Sequence, residues 1–334
     1  QGVSSAASDV YKRQASMNGI LLPHAVINES IVGDNPVAAA AAEYRGEQRP
    51  KRIEQATRQT DARPQASDGV AARRRFTLER IGEIGAATEQ PSLIKGLLPG
   101  RGCVAVYGKP GTRKSFIAID AALAIALGDG RWGGRRVRQA SVVYIAGEAS
   151  GGIPRRVAGA LRLRNLTPSD AGNFHLICDT PNLGFNSRDC DALIAEIDAA
   201  GVTPGLVIID TLSSTLGASD ENGSGMTQFI QCMNELSHRL SCCVLVIHHS
   251  PHEGDRMRGH SSLPGAMDVI ASVSLGKAPL TSILRIEKAK EELTGEALKL
   301  TFECVGLGVD ADGDPITTLA VRSVEATSEG KSPS

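Results

Sequence analysis

Apolar and polar residues alternate along the chain in two kinds of block. Short runs of consecutive apolar residues predict buried β-strands, and longer segments with helical periodicity lie between them. The runs cover 103–107, 141–146, 174–178, 206–209 and 243–247, and the helical segments cover 115–127, 152–163, 188–200 and 227–240. Strands that are apolar on both faces and alternate with helices are typical of a parallel sheet covered on both sides. The pattern therefore predicts an α/β fold with a mainly parallel central sheet flanked by helices.

The pattern changes beyond the last of these runs, where apolar segments follow one another without helical segments between them. These segments cover 269–275, 283–289, 297–304 and 316–324. Turn residues at 292–295 and 310–314 separate neighbouring segments, as in hairpins. We therefore expect antiparallel strands that extend the sheet of a domain covering 91–325, followed by a frayed polar tail over 326–334.

The first 90 residues differ from the rest of the chain. Residues 1–14 resemble a translated sequencing-adapter tail, and the chain opens on Gln1 rather than Met, so we expect a fragment with an artefactual start. Residues 15–90 are rich in Ala, Arg, Gln and Glu and hold few large apolar residues. Such a segment buries too little surface to offset its ordering entropy, which predicts a disordered linker. The alternative is a basic arm that contacts DNA phosphates.

Composition narrows the classes of protein that fit. The formal net charge is −1 over 334 residues, so no overall field favours a nucleic acid or a membrane surface. No apolar run approaches the ~18 residues of a membrane-spanning helix, and no signal peptide is visible. The 7 cysteines are odd in number and form no C-x-x-C pair, which is typical of reduced thiols. We therefore expect a cytoplasmic protein without a membrane partner.

A glycine-containing loop joins the first apolar run to the first helical segment. The loop reads Gly108-Lys109-Pro110-Gly111-Thr112-Arg113-Lys114-Ser115, and Phe116 continues into the helix. The order of strand, loop and helix suits the phosphate-binding motif G-x-x-x-x-G-K-[ST], whose backbone N–H groups form an anion nest. Lys114 would reach the β- and γ-phosphates of a nucleotide, and the Ser115 hydroxyl would ligate Mg²⁺. Arg113 stands where the second glycine belongs, so an ordinary strand–turn–helix junction stays open as the alternative.

Polar residues follow three of the other apolar runs. Glu148 could orient an attacking water as general base, or it could be a surface glutamate after a strand. Asp210 ends four apolar β-formers, which is the Walker B pattern of an Mg²⁺-holding acid. His248 and His249 follow the fifth run, and one of them would act as a polar sensor of the γ-phosphate. A metal-binding histidine pair is disfavoured, because adjacent strand residues face opposite sides.

Three loops carry further polar or basic residues. Residues 212–227 and 251–262 are polar, and the second of these loops is basic and could reach DNA phosphates or a neighbouring subunit. A plain solvated loop is the alternative for the second segment. The loop over 131–138 is basic and contains the only tryptophan, Trp132.

Taken together, six segments carry a resemblance to a known family. In chain order they are VYGKPGTRKSF, VVYIAGE, LVIIDTLSSTLGASDEN, VLVIHHSP, RGHSSLPGAMD and RIEKAK. Residues from about 92 to 325 resemble the RecA-like P-loop ATPases of the AAA family, in particular plasmid RepA-type hexameric helicases and their phage and prophage relatives. The resemblance implies ATP and Mg²⁺ as cofactors, ATP hydrolysis, single-stranded DNA as a partner and a homo-oligomeric ring, commonly a hexamer.

The resemblance also implies residue roles. The phosphate loop from Gly108 to Phe116 would bind the nucleotide, Ser115 and Asp210 would hold Mg²⁺, Glu148 would activate water, and His248 or His249 would act as sensor. Lys288 and Lys290 match a basic K-x-[KR] element that reaches the γ-phosphate of the neighbouring subunit. The loops over 212–226 and 252–262 match segments that line the central channel. The family's lysine shortly after the histidine pair is absent, and Glu253 stands nearby.

Two other interpretations remain open. Lys109 occupies the position of the signature lysine in deviant-Walker partition ATPases, although Pro110 replaces the glycine expected there. A non-motor regulator or scaffold in recombination, which uses ATP only to assemble, would carry the same motifs. The helicase interpretation favours a role in phage- or plasmid-type DNA replication.

Overall fold

The computed structural model describes residue 80 and residues 91–147, 152–217, 223–250, 262–290 and 294–328. All of them belong to the second of two compact units, which begins at Leu78. The expected adapter tail and almost all of the expected linker lie outside the described residues. The same holds for Glu148, for parts of both polar loops and for residues 329–334.

Eleven strands and six helices form the described part of the domain. Its first part contains β1 (Gly102–Gly108), α1 (Lys114–Leu127), β2 (Arg131–Trp132), β3 (Arg135–Arg136), β4 (Ser141–Ala146), α2 (Gly152–Leu163), β5 (Phe174–Ile177), α3 (Arg188–Ala199) and β6 (Pro204–Asp210). Its second part contains α4 (Leu212–Thr215), α5 (Ser224–Arg239), β7 (Cys243–His249), α6 (Ser262–Ala266), β8 (Val269–Leu275), β9 (Thr281–Ala289), β10 (Ala297–Val309) and β11 (Pro315–Thr327). A 3-10 turn, Pro168–Ala171, precedes β5.

Nine of these strands form one sheet in the order β11-β10-β9-β8-β1-β7-β6-β4-β5. All neighbours from β8 to β5 are parallel, and β8, β9, β10 and β11 pair antiparallel in sequence. The predicted fold class is therefore confirmed: a mainly parallel sheet continues into antiparallel C-terminal strands. The hairpin of β2 and β3 stands apart as a second, two-stranded sheet.

Alternating side chains of the parallel strands pack into two separate cores. On β1, Val104 and Val106 face the core that includes residues of α1 and α2. Cys103 and Ala105 face the other core, which includes residues of α3 and α5. Both faces of the strand are buried, which is why the sequence reads as an unbroken apolar run.

The polar segment after β6 differs from its prediction as a loop. It opens with α4, and α5 begins at Ser224, earlier than predicted. Thr211 caps α4, because its N–H donates to the Ser214 hydroxyl at 3.1 Å. Serine replaces the Glu or Gln of the usual capping box, so the signal was easily missed. Leu212 and Leu216 are both buried and fix this short turn to the core.

No helix among the described residues is long and apolar enough to cross a membrane.

Candidate nucleotide site

The carboxyl-terminal ends of four parallel strands meet at one edge of the sheet. Strand register places Gly108 of β1 beside His249 of β7, and Asp210 of β6 beside Ile247 of β7 and Ala146 of β4. In open α/β sheets, ligands bind at this edge. The predicted site residues that end β1, β6 and β7 are therefore brought to one place, with β7 between the strands of Gly108 and Asp210.

The phosphate loop is folded around the Lys114 ammonium. Lys114 is 5% exposed, and its Nζ donates to the carbonyls of Gly108 at 2.9 Å and Lys109 at 3.0 Å. The Thr112 hydroxyl donates to the same Lys109 carbonyl at 2.9 Å. Lys109, Pro110 and Gly111 form the exposed tip of the loop. Two carbonyls of the loop thus hold the ammonium at the start of α1, where the backbone N–H groups of a helix N-terminus also favour an anion.

Gly108 is needed because the loop lies close to β8. A Cβ at this position would lie 2.2 Å from the backbone carbonyl oxygen of Val273. No side chain fits in that space, and the oxygen belongs to the backbone and cannot rotate away. The first glycine of the motif therefore allows the loop to pack closely against β8.

Arg113 adopts the backbone conformation expected of the glycine that it replaces. Its φ of 70° and ψ of 28° lie in the left-handed region, directly before the first residue of α1. A non-glycine residue there costs about 1 kcal/mol and does not change the course of the chain. The departure from the motif therefore leaves the loop geometry in place, which favours a phosphate loop over an ordinary junction.

The Arg113 side chain is held by the antiparallel strands. Its guanidinium donates to the Thr281 carbonyl at 3.0 Å and to the Ser282 hydroxyl at 3.3 Å. It also lies 5.2 Å from the ring centroid of Phe302. The Ser282 hydroxyl in turn donates to the Thr112 carbonyl at 3.1 Å. Residues of β9 and β10 thus hold the phosphate loop in place. No motif in the sequence predicted this contact.

Phe116 packs on the same side of the domain. Its ring meets that of Phe302 edge-on, with centroids 6.5 Å apart. The Arg156 guanidinium of α2 lies 4.8 Å from the centroid of the Phe116 ring. Phe116 therefore joins the start of α1 to β10 and α2.

The two histidines at the end of β7 have different surroundings. His249 lies on the same face as the α1 core, and its Nδ1 is 3.3 Å from the Lys114 Nζ. His248 is 0% exposed and, by strand alternation, faces the opposite core. The structure therefore brings His249 and not His248 to the phosphate loop.

Asp210 is held by Tyr144 of β4. The Tyr144 hydroxyl donates to the Asp210 Oδ2 at 2.6 Å. Tyr144 is 0% exposed and Asp210 is 4% exposed. Burial, followed by the Asp210 charge, raises the pKa of Tyr144 well above its usual range. Tyr144 therefore stays a neutral donor that fixes one oxygen of the buried carboxylate.

Sequence reasoning missed Tyr144 because it reads as part of an apolar strand. Its ring stacks on Phe174, with centroids 6.0 Å apart, as a core residue would. Strand alternation could have found it: Tyr144 lies on the same strand face as Ala146, which pairs with Asp210.

Gly147 is the last described residue before Glu148, which lies outside the described residues. The Gly147 N–H donates to the Asp210 carbonyl at 2.7 Å. A Cβ on Gly147 would lie 2.4 Å from the Ser214 hydroxyl oxygen. The chain that leads to Glu148 thus passes directly beside Asp210.

Lys288 and Lys290 lie away from the phosphate loop of their own chain. Lys288 Nζ donates to the carbonyls of Pro264 at 2.6 Å and Met267 at 2.8 Å. Lys290 Nζ pairs with Asp268 Oδ1 at 2.7 Å, and Asp268 also accepts the Cys103 N–H. Cys103 lies near the amino-terminal end of β1, whereas the loop follows the other end. Any contact of Lys290 with a γ-phosphate must therefore be made to another subunit.

With this geometry established, comparison with protein families gives one assignment. The model of an AAA domain family, AAA_25, matches residues 71–255, which is more than half of the chain. The chain belongs to this family. It is a P-loop ATPase domain.

Solved structures offer more distant likenesses to this AAA domain. The RadB recombinase is 20% identical, with a TM-score of 0.45 over 62% of this chain and 89% of that one. A second solved structure, the ATPase domain of another protein, is 15% identical, with a TM-score of 0.44 over 61% of this chain and 82% of that one. Similarity at this level supports no inference about activity. Curated protein sequences gave no match.

Proposed function

We propose that this AAA domain is a RecA-like motor that hydrolyses ATP, and that it acts as a DNA helicase in phage- or plasmid-type replication. The observation that carries the ATPase part is the Lys114 ammonium, which is held inside the loop and beside His249. A buried cation surrounded by backbone groups at a helix start suits the β- and γ-phosphates of a nucleotide.

The residues around Asp210 fit a bound Mg²⁺. The Tyr144 hydroxyl fixes one oxygen of the Asp210 carboxylate, and this carboxylate and the Ser115 hydroxyl are both hard oxygen donors of the kind that Mg²⁺ prefers. The described residues contain no group of three or more His, Cys, Asp or Glu that could hold a metal by themselves. The ion would therefore depend on Ser115, Asp210, phosphate oxygens and water. When bound, it would neutralise charge on the phosphates.

Hydrolysis requires a water molecule placed in line with the γ-phosphate. We assign Glu148 as the residue that orients this water, because it follows Gly147, whose N–H donates to the Asp210 carbonyl. His249 is assigned as the γ-phosphate sensor, since its ring already contacts Lys114. Lys288 and Lys290 would supply positive charge from a neighbouring subunit. The proposal therefore includes a homo-oligomeric ring, a hexamer by resemblance, and a poor ATPase rate for the isolated monomer.

The helicase part rests on sequence resemblance. The loops over 212–226 and 252–262 would line the channel of the ring and contact single-stranded DNA. Within the first of them, α4 is anchored to the core by Leu212 and Leu216.

A substitution in the phosphate loop tests the ATPase assignment. Lys114→Ala removes the ammonium, and the rate of ATP hydrolysis is expected to fall by at least about 100-fold, as when one transition-state contact is lost. Lys109→Ala is the matched control, because Lys109 is an exposed lysine of the same loop. Normal turnover by the Lys114 variant would contradict the assignment. A comparable loss in the Lys109 variant would instead favour a deviant-Walker partition ATPase.

Strand displacement on a forked DNA tests the helicase assignment. The wild-type chain is expected to unwind the fork with ATP, and single-stranded DNA is expected to raise its ATPase rate. Stimulation of the ATPase without unwinding would contradict the helicase and favour a non-motor regulator or scaffold.

A further inference from the structure

A basic groove lies between the β2–β3 hairpin and the antiparallel strands β9, β10 and β11. The cavity measures about 1070 Å³, and its charged lining consists of Lys95, Arg131, Arg135, Arg136, Arg285 and Glu296. Five of these six side chains are cationic, in a chain whose formal net charge is only −1. The groove is therefore strongly basic, although the chain as a whole is close to neutral.

The groove is separate from the nucleotide site. The hairpin follows the C-terminal end of α1, whereas the phosphate loop precedes the N-terminal end of that helix. Because α1 has 14 residues, the two ends are about 21 Å apart. A ligand of the groove would not compete with ATP for the same groups.

The hairpin is rigidly attached to the domain. Gly133 and Gly134 have φ values of 56° and 77°, which suit the two central residues of a tight hairpin turn. Trp132 is 4% exposed, and its Nε1 donates to Asp120 Oδ2 at 2.8 Å. Asp120 also accepts Arg164 at 2.9 Å. The hairpin therefore holds its exposed arginines in fixed positions before any ligand arrives.

Two of these arginines lie opposite each other on the hairpin, and the Arg131 guanidinium donates to the Gly134 carbonyl at 2.7 Å. Arg131 and Arg136 are directly paired across the hairpin, and both are exposed. Like charges at such a position destabilise a strand pair. Within the described part of the chain, neither arginine forms an ion pair. An anion bound between them would relieve the repulsion.

Arg135 has a different role from its two neighbours. Its guanidinium pairs with Glu296 and donates to the Lys95 carbonyl at 2.8 Å. These contacts join the hairpin to the start of β10 and to the segment before β1. Arg135 therefore shapes the groove, and Arg131 and Arg136 are the residues placed to meet a ligand.

The remaining lining indicates the class of ligand. Among the described residues that line the groove, there is no aromatic side chain, and the lining includes Thr294 and three glycines. Protein partners are usually held by aromatic anchors, and bases of single strands by aromatic stacking. Arginines, hydroxyls and backbone N–H groups are the usual partners of phosphate oxygens.

We propose that this groove binds the phosphodiester backbone of a nucleic acid strand, independently of its sequence and of ATP. This inference goes beyond the proposed motor function and does not require it, because the groove shares no residue with the nucleotide site.

Fluorescence anisotropy with the full chain, in the absence of nucleotide, tests the proposal. The probes are a labelled single-stranded DNA and the same sequence as a duplex, each titrated at several salt concentrations. Arg131→Glu/Arg136→Glu is expected to weaken binding at least tenfold for the preferred form. The slope of log affinity against log salt should decrease by about 1.4 for a single strand, at about 0.7 for each phosphate contact. Whichever probe binds more tightly identifies the natural form.

The matched control is Arg162→Glu/Arg188→Glu, which makes the same charge change at two exposed arginines of α2 and α3. It is expected to bind like the wild-type chain, and equal weakening in both double variants would overturn the proposal. Wild-type affinity of the hairpin variant, or no binding of either DNA by the wild-type chain, would also overturn it. Unchanged thermal unfolding of the hairpin variant verifies its fold. An absence of ATP hydrolysis alongside intact groove binding would contradict only the motor function.

Discussion

The parallel and antiparallel halves of the sheet contribute to the nucleotide site in different ways. In the parallel half, Gly108, Asp210 and His249 each end a strand, and strand register alone brings them together. In the antiparallel half, Thr281 and Ser282 begin β9 and Phe302 lies within β10, and these residues meet the loop through Thr112, Arg113 and Phe116. One half brings the proposed nucleotide-binding residues together, and the other half holds the loop in place.

The contacts made by the antiparallel half explain how Arg113 can replace the glycine of the motif while the loop keeps its conformation. In the usual motif a glycine adopts the left-handed conformation at little cost. Here Arg113 adopts it at some cost and gains contacts with the antiparallel half that a glycine could not make. The antiparallel strands are therefore part of the phosphate loop's structure and not only an extension of the sheet.

The largest expected effect comes from the chemistry of the parallel half. Asp210→Asn retains an acceptor for the Tyr144 hydroxyl but removes the charge. ATP turnover is expected to fall by about 100-fold or more, because the electrostatic contribution to the transition state is lost. Thermal unfolding should remain close to that of the wild-type chain.

Asp191→Asn is the control for this prediction. Asp191 is a carboxylate of α3 that pairs with Arg239, and neither residue belongs to the proposed site. If the two variants lost the same fraction of turnover, the loss would not be specific to the strand ends of the parallel half, and the assignment of Asp210 would fail.

The packing of the loop against β8, the strand at which the parallel and antiparallel halves join, is tested by Gly108→Ala. The added Cβ would lie 2.2 Å from the Val273 carbonyl oxygen of β8, so the strands must move apart. We expect a destabilisation of about 3 kcal/mol, typical of severe overpacking, measured by denaturant unfolding.

Gly111→Ala separates crowding from backbone strain. Gly111 has a φ of 80°, but a Cβ there would meet nothing within 4 Å. Its cost should be about 1 kcal/mol, from the left-handed backbone alone. Equal losses of stability in Gly108→Ala and Gly111→Ala would show that the close approach of β8 does not constrain the loop.

A smaller effect is expected from Tyr144→Phe, which removes a hydroxyl from the buried link to Asp210. The variant should lose about 2 kcal/mol at neutral pH, as for a hydrogen bond to a charged group. Because the pKa of Tyr144 is raised in the folded state, the folded chain retains a proton that the unfolded chain loses above about pH 10. The free energy of unfolding of the wild-type chain therefore falls above about pH 10. The difference in this free energy between the wild-type chain and Tyr144→Phe should narrow.

Denaturant unfolding of the wild-type chain and of Tyr144→Phe, at pH 8 and at pH 11, measures how far the difference in stability narrows. The buried thiols Cys103 and Cys242, whose pKa values burial raises to about 12, also reduce stability at alkaline pH. They do so equally in both chains and cancel in the difference. A difference that stayed constant or widened would show that Tyr144 is not a proton-retaining donor in the fold.

Sequence alone predicted most of the parallel half, because apolar runs that end in polar residues specify both the strands and the edge where they meet. Lys114, Ser115 and Asp210 could be assigned to one site for this reason. Tyr144 could not, since a single hydroxyl within an apolar strand carries no periodic signal. The choice between His248 and His249 required the face of β7, which depends on register with its neighbours.

The antiparallel half was predicted as strands, with Lys288 and Lys290 reaching a neighbouring subunit, but not as a support for the phosphate loop of its own chain. Its contacts with the loop join Arg113 to Thr281, Ser282 and Phe302, which are far apart in the chain. Such contacts depend on the tertiary packing of particular side chains. The pattern of apolar and polar residues along the chain does not predict them. The short helix α4 was missed for a local reason, because Ser214 replaced the expected acidic capping residue.

The smallest expected effects are at Arg113, and they decide whether the antiparallel half assists nucleotide binding. Arg113→Gly relieves about 1 kcal/mol of backbone strain and loses contacts of similar worth, so stability should change little. The loop then loses its link to Thr281, Ser282 and Phe302, and ordering it around ATP should cost more. We expect the KM for ATP to rise several-fold with little change in kcat, measured in steady-state ATPase assays.

Arg113→Ala and Arg113→Lys complete the series. Alanine retains the strain without the contacts, so this variant should be about 1 kcal/mol less stable than Arg113→Gly in thermal unfolding. Lysine retains a cation and can still donate to the Thr281 carbonyl, so it should partly restore the KM. If glycine left the KM unchanged, or if lysine and alanine behaved alike, the contacts of Arg113 would stabilise the fold without positioning the phosphate loop. The antiparallel half would then have no part in nucleotide binding.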